Sequence, residues 1–227
     1  MPTRAHGIAA DIAHRSAHGF VYLASASPRR RQLLDQLGVA HRPLLPDADE
    51  DAEALEAERA GEAAEDYVRR VTRAKLGAAR ARLARHALPP APILCADTTV
   101  VLGRRILGKP ADAAAARAML GALSGRTHRV LTAVAVWDGR RSALALDVSR
   151  VRMERLPPVL IDRYIASGEP FGKAGAYAIQ GLLAGWIARI EGSHSGIMGL
   201  PLHPTRVLLA RAGLDPMPPS QSPSPSR

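Results

Sequence analysis

The chain has 227 residues, 47% of them hydrophobic and 23% charged, the composition of an ordinary globular protein. One cysteine, Cys95, excludes a disulfide framework and any multi-cysteine zinc cluster, and no apolar run reaches the ~18 residues of a membrane span. A net charge of +10 calls for an anionic partner, yet only 4% aromatics leaves few stacking platforms for nucleic acid, so a small polyanion such as a nucleotide fits better.

Residues 1–18 read as a loose polar arm without the apolar core of a signal peptide, which, with a single cysteine, sets the expectation of a cytoplasmic protein. One domain is expected over 19–213, followed by a Pro/Ser-rich tail over 214–227. The apolar run 20–25 predicts a buried strand. A helix follows at once, with Ser27 as N-cap, Pro28 at its first position, Leu33, Leu34 and Leu37 as its apolar stripe and Gly38 past its end. A second helix is predicted over about 60–86, ending before Pro89. Two short strands, 93–96 and 99–102, come next, the second turning through 103–105 into a hairpin partner. Asp112 caps a helix that ends at Leu123. The segments 128–137 and 142–153 read as two long strands, and 157–167 as a helix. Short strands near 176–180 and 185–190 and a last helix over 204–212 complete an α/β class with a mixed sheet.

The charge is unevenly spread. Ten acidic residues and a single Arg lie between Asp47 and Asp66, leaving 30 basic and 11 acidic residues elsewhere. Such a run is either a solvated loop and helix face, or a segment from which one or two carboxylates lean over a site and hold a metal. Of the 31 basic residues, only Lys75, Lys109 and Lys173 are lysines. In a chain that uses Arg so freely, the lysines mark places where a compact ammonium is needed, as against phosphate.

Four segments carry candidate chemistry. In ASASPRRR (24–31), a helix N-terminus offers unpaired N–H groups to an anion. Arg29, Arg30 and Arg31 stand in that first turn against the helix dipole, a conflict that a bound phosphate would offset, and Ser25 and Ser27 add hydroxyl donors. Asp97 in CADTT is expected at the end of an apolar strand, where a carboxylate can bind Mg²⁺, polarise a water or simply cap a turn. GRRILGKP (103–110) imitates a phosphate loop, but Pro110 replaces the metal-binding hydroxyl, so the ATPase reading is set aside and Lys109 kept as a phosphate contact. The glycine-crowded stretch 169–201 lets backbone approach a ligand, and within it the Gln180 amide can pair with a base. His128 and Cys95 read as structural.

Taken together, ASASPRRRQLLDQLG, CADTTVV, LGKP, LSGRTHRVLTAV and EPFGKAGAYAIQG strongly resemble the Maf proteins, nucleoside triphosphate pyrophosphatases, over roughly 20–210. The resemblance implies an elongated mixed sheet flanked by helices, with two lobes around a cleft, similar to inosine-triphosphate pyrophosphatases. It implies cleavage of a nucleoside triphosphate to monophosphate and pyrophosphate with a divalent cation, Mg²⁺ or Mn²⁺, in a homodimer. By the same resemblance Asp97 is the catalytic aspartate and a metal ligand, with Glu50 as a second acidic position. Arg29, Thr98 and Gln180 govern substrate choice, and Lys75, Lys109 and Lys173 fall on family motifs as phosphate contacts. GKAGAYAIQG looks like the dTTP/UTP branch, although Ala178 stands where Gly is usual. The alternatives are a pyrophosphatase for modified purine nucleotides such as 7-methyl-GTP, and a basic nucleic-acid-binding regulator.

Overall fold

The computed structural model describes residues 19–51 and 53–214; the arm expected over 1–18 and all of the expected tail except Leu214 lie outside the described residues. In chain order the elements are β1 (Val21–Leu23), α1 (Pro28–Gln36), β2 (His41–Pro43), α2 (Ala64–Arg85), β3 (Ile93–Leu102), β4 (Arg105–Leu107), α3 (Ala113–Leu123), β5 (Thr127–Trp137), β6 (Ser142–Met153), α4 (Pro158–Ala166), β7 (Ile187–Glu191), α5 (His194–Met198) and α6 (Leu202–Arg211). Among the described residues the strands make one seven-stranded sheet in the order β2-β1-β3-β5-β6-β7, with β4 hairpinned onto the end of β3. The β2-β1-β3 portion is parallel and the remainder antiparallel, so the expected mixed α/β architecture is present.

The two faces of the sheet are covered differently. Alternate residues of β3 point to opposite faces. Ile93, Cys95 and Val101 face α2, whose Tyr67, Val68, Val71, Leu76, Ala79 and Leu83 cover that face from end to end. On the other face two separate apolar groups form. Leu33 and Leu34 of α1 and Leu208 and Leu209 of α6 pack on Leu94, Ala96 and Val134. Leu120 and Leu123 of α3 and Ile161 and Ile165 of α4 pack on Val100, Val130 and Val151. Between them the register places Thr98 opposite Thr132, and Thr132 opposite Asp147. This polar row divides the face into the two lobes that flank the cleft.

Local rules explain most element boundaries. Asp112 accepts a hydrogen bond from Ala115 N at 2.7 Å and so starts α3, a cap that contributes about 1 kcal/mol. Leu214 is buried against α6 and donates its N–H to Leu209 O, which extends the folded unit one residue beyond the expected boundary. Two expectations change. The strands expected at 93–96 and 99–102 are one ten-residue strand that runs through Asp97. The strand expected at 176–180 is a tight turn instead: Gly175 and Ala176 adopt φ of 69° and 61°. Gly175 is needed twice over there, because a Cβ would come within 2.8 Å of Val100 Cγ1.

Candidate active site

Asp97 lies mid-strand rather than at a strand end, but at a point where the flank of β3 is bare. β1 pairs with β3 only at Ile93 and Leu94, and β4 only from Val100 onward. In the gap between them opens a cleft of about 730 Å³. Ser25, Ser27, Arg29, Arg30, Glu50, Lys75, Asp97, Thr98, Lys109, Lys173 and Gln180 all line it.

Asp97 points toward α2. Its Oδ1 accepts from Lys75 Nζ at 2.6 Å, and the same ammonium donates to Glu56 Oε1 at 2.7 Å. Lys109 reaches Glu56 Oε2 at 2.8 Å. Burial alone would lower the Lys75 pKa, but the charges of Asp97 and Glu56 outweigh it and raise it. Burial likewise works against the Glu56 carboxylate, and Lys75 and Lys109 overcome it, leaving its pKa below the ordinary value. No donor among the described residues reaches Asp97 Oδ2, which leaves one carboxylate oxygen available to a ligand in the cleft.

The acidic run is neither purely solvated nor wholly aimed at the site. It lies as a strap along α2, whose inward basic residues hold it. Arg82, buried, donates to Glu50 and to Leu44 O, and Arg85 joins it on Glu50. These hydrogen bonds, Arg82 first, pull the Glu50 pKa down to about 2. Arg70 binds Glu62 through both carboxylate oxygens, and Tyr67 Oη donates to Glu56 O at 2.8 Å. Glu50 therefore sits in the cleft wall engaged with two arginines, while Glu56 is the acidic residue that shares a partner with Asp97.

On the opposite side of the gap, the start of α1 faces the same cleft. Ser27 occupies the N-cap position without capping, and its N–H is taken by Ser25 Oγ at 3.2 Å. Arg30 turns back to donate to Gly199 O at 2.8 Å and Ser25 Oγ at 3.0 Å, with Thr98 Oγ1 at 3.4 Å. Thr132 donates its one hydroxyl hydrogen to Gly196 O at 2.7 Å, so its oxygen accepts from the Thr98 hydroxyl at 3.0 Å. Arg29 reaches only Met198 O, at 3.4 Å. Among the described residues neither Arg29 nor Lys173 has a carboxylate partner. Burial lowers the Lys173 pKa, and the nearby Arg29 charge lowers it further. The Glu169 charge nearby only partly offsets these effects.

Gln180 is exposed on the cleft wall and makes no hydrogen bond among the described residues. The segment that carries it is pinned to the sheet by Tyr177, whose hydroxyl meets His128 Nε2 at 2.7 Å, while Nδ1 of the buried ring has no partner among the described residues. Burial pushes the His128 pKa down to about 4 from 6.5. A depressed folded value means that the unfolded chain binds the proton more readily. The contribution of the neutral imidazole is thus complete above pH 6.5 and is lost as pH falls toward 4, amounting to about 3 kcal/mol at about 1.4 kcal/mol per unit. Melts between pH 7 and 4 should show this loss in the native protein and a shallower one in His128→Phe; equal slopes would contradict the assignment.

The Maf-like protein family matches residues 20–212. The chain belongs to that family. Among curated relatives, a dTTP/UTP pyrophosphatase of Polaromonas sp. is 62% identical over 198 residues, spanning 87% of this chain and 98% of that protein. Proteins of the same name from Burkholderia pseudomallei and Cupriavidus metallidurans are 61% and 60% identical, covering 86% of this chain in each case and 95% and 97% of those proteins. In this Maf-family chain nothing local in the sequence marks Glu56, Arg82, Thr132 or Glu169. Glu56 is one of ten similar carboxylates with no spacing to distinguish it, and the others act through partners 30 or more residues away or, for Glu169, across a loop. No helix of the described residues is long and apolar enough to cross a membrane.

Proposed function

We propose that this Maf-family protein hydrolyses nucleoside triphosphates, dTTP and UTP foremost, to the monophosphate and pyrophosphate. The observation that carries the reading is the bare edge of β3, where a cleft brings together Asp97 with a free Oδ2, the Lys75–Glu56–Lys109 group, and Arg29 and Lys173, which have no carboxylate partner among the described residues. Relatives at about 60% identity bearing that activity in their names support the substrate class. The triphosphate lies between the start of α1 and the three lysines, and Lys173, Arg29 and Lys109 neutralise the charge that develops on the departing pyrophosphate. Ser25, Ser27 and Arg30 complete the phosphate side. Water attacks the α-phosphorus, Asp97 Oδ2 takes its proton, and the bond from that phosphorus to the bridging oxygen breaks.

A divalent cation, Mg²⁺ or Mn²⁺, fits the donors present. No group of three or more acidic, His or Cys side chains gathers among the described residues. That matches Mg²⁺, which is commonly held by one or two carboxylates plus substrate phosphates. Asp97 would hold it with Glu56, which shares Lys75 with it; Glu50, the second acidic position expected from the resemblance, has both oxygens taken by Arg82 and Arg85 and fits less well. When bound it supplies charge neutralisation at the phosphates and a more acidic water. Reaction in isotopically labelled water tests the bond cleaved: label is expected in the monophosphate, and label in the pyrophosphate would overturn the reading.

Base choice is assigned to Gln180, with Arg29 and Thr98 positioning the nucleotide. A side-chain amide offers a donor and an acceptor to O4 and N3–H of uracil or thymine. Gln180→Glu removes the donor and sets a carboxylate against O4, so kcat/KM for dTTP and UTP should fall about tenfold or more. Unchanged kinetics would show that the base is read elsewhere.

The remaining proposals concern setting. A cytoplasmic location accords with the single buried free thiol and with the nucleotide substrate. A homodimer is supported by the long β6 edge, which β7 pairs only at 150–153 and which leaves Val148 exposed. Sizing in solution checks it: a monomer at micromolar concentration would contradict it.

A further inference from the structure

Resting on the reading of Gln180 as the base-contacting residue, we propose that Glu169 is a positioning residue for substrate choice: its side chain closes the 168–182 loop and sets the place of Gln180. Glu169 stands at the start of the loop and Gly181–Leu182 at its end. The Glu169 carboxylate bridges them, since Oε1 accepts from Tyr164 Oη at 2.8 Å and Oε2 accepts from Leu182 N at 3.2 Å. Tyr164 is buried in α4, so the brace is anchored in a lobe core rather than in another loop. The main chain of Glu169 also receives Lys173 Nζ. One residue thereby holds the loop that presents both a cation for phosphate and the amide for the base.

Gly181 supplies an independent sign of this fit. Its φ of −93° is open to any residue, so backbone conformation does not require glycine there. What excludes a side chain is Glu169: a Cβ at Gly181 would overlap Glu169 Oε1. The carboxylate lies against the bare Cα of the residue next to Gln180, so a side chain at Gly181 would turn the carboxylate out of its place.

The brace has no route to the reacting phosphorus of its own, so its loss should blur base choice more than it slows chemistry. Glu169→Ala should cut the preference for UTP over CTP, as a ratio of kcat/KM, by about tenfold, mostly through KM for UTP. Glu169→Gln keeps Oε1, the one oxygen that both Tyr164 Oη and Leu182 N reach, at 2.8 and 3.3 Å, and should restore most of the preference. Gly181→Ala should behave like Glu169→Ala, yet the double variant should be no worse than Glu169→Ala alone, because the clash has been removed. Wild-type preference in Glu169→Ala, or additive effects of the two changes, would overturn the inference. Gln180→Ala in the same assay separates the two claims. If it leaves the preference unchanged, the reading of Gln180 fails; if it abolishes the preference while Glu169→Ala does not alter it, only the brace fails. If Glu169→Ala does not fold, the inference stands or falls on Gly181→Ala against Gly181→Ala/Glu169→Gln: the same loss in both supports a brace held by shape, and wild-type preference in Gly181→Ala overturns it.

Discussion

Asp97→Asn should lower turnover of dTTP and UTP by about 10²–10⁴-fold while leaving the fold in place. The amide is isosteric, so the strand and its pairing with β5 are untouched, and Asn Oδ1 can still accept from Lys75. What disappears is the negative charge at Oδ2, the oxygen that faces the cleft with no protein donor. Proton acceptance from water and attraction for a cation both depend on that charge. The variant should melt within a few degrees of the native protein, and steady-state pyrophosphate release should be near background. A variant turning over at close to the native rate would remove Asp97 from the chemistry.

The second large effect is at Lys75. Its single nitrogen joins two carboxylates from different segments, Asp97 on β3 and Glu56 in the strap, at 2.6 and 2.7 Å. Lys75→Met leaves these acids facing one another in a partly buried place; the three side chains are 20%, 11% and 25% exposed. Breaking a fully buried pair costs about 3–5 kcal/mol, and solvent screening here brings the expected loss to about 2 kcal/mol. The sign with pH follows from the two shifts. The Glu56 pKa is lowered, so its contribution is present above the ordinary 4.5 and is lost as pH falls through the folded value. The Lys75 pKa is raised, so its contribution is present below 10.5 and is lost as pH rises through the folded value. The deficit of Lys75→Met should therefore be widest between these limits and shrink in acid. Lys75→Arg keeps the charge, but a longer, planar guanidinium does not fit the place of a compact ammonium held 2.6 and 2.7 Å from the two acids, so activity should fall about tenfold or more. Native activity in Lys75→Arg would show that only charge matters there. Chemical denaturation at pH 7 and pH 4 checks the stability claim.

Much of this architecture follows from local pattern, and the exceptions have physical causes. β5 declares itself by a long apolar run that is buried along most of its length, and β6 by the alternation of buried and exposed residues toward Met153. α1 announces itself through Ser27, Pro28 and Gly38. The sequence of β3 suggests two strands, since an aspartate is a poor strand former and interrupts the apolar run. Asp97 is tolerated mid-strand because the flank is bare and Lys75 neutralises it. β2, with Pro43, and α5, only five residues long, carry too little periodic signal. The turn at Gly175 and Ala176 is dictated by the nearness of Val100, which is 75 positions away and invisible locally. The site shows the same division. Asp97, the lysines and Gln180 stand in distinctive motifs, whereas Glu56 acquires its place only once the strap lies along α2.

The central claim is tested most directly by pyrophosphate release from dTTP, UTP, CTP, dATP, GTP and 7-methyl-GTP, each with and without Mg²⁺ or Mn²⁺. Cation-dependent release from dTTP and UTP, with little from the others, is the expected result. Preferential release from 7-methyl-GTP would contradict the reading of Gln180, and no release from any nucleotide by the folded protein would contradict the activity itself.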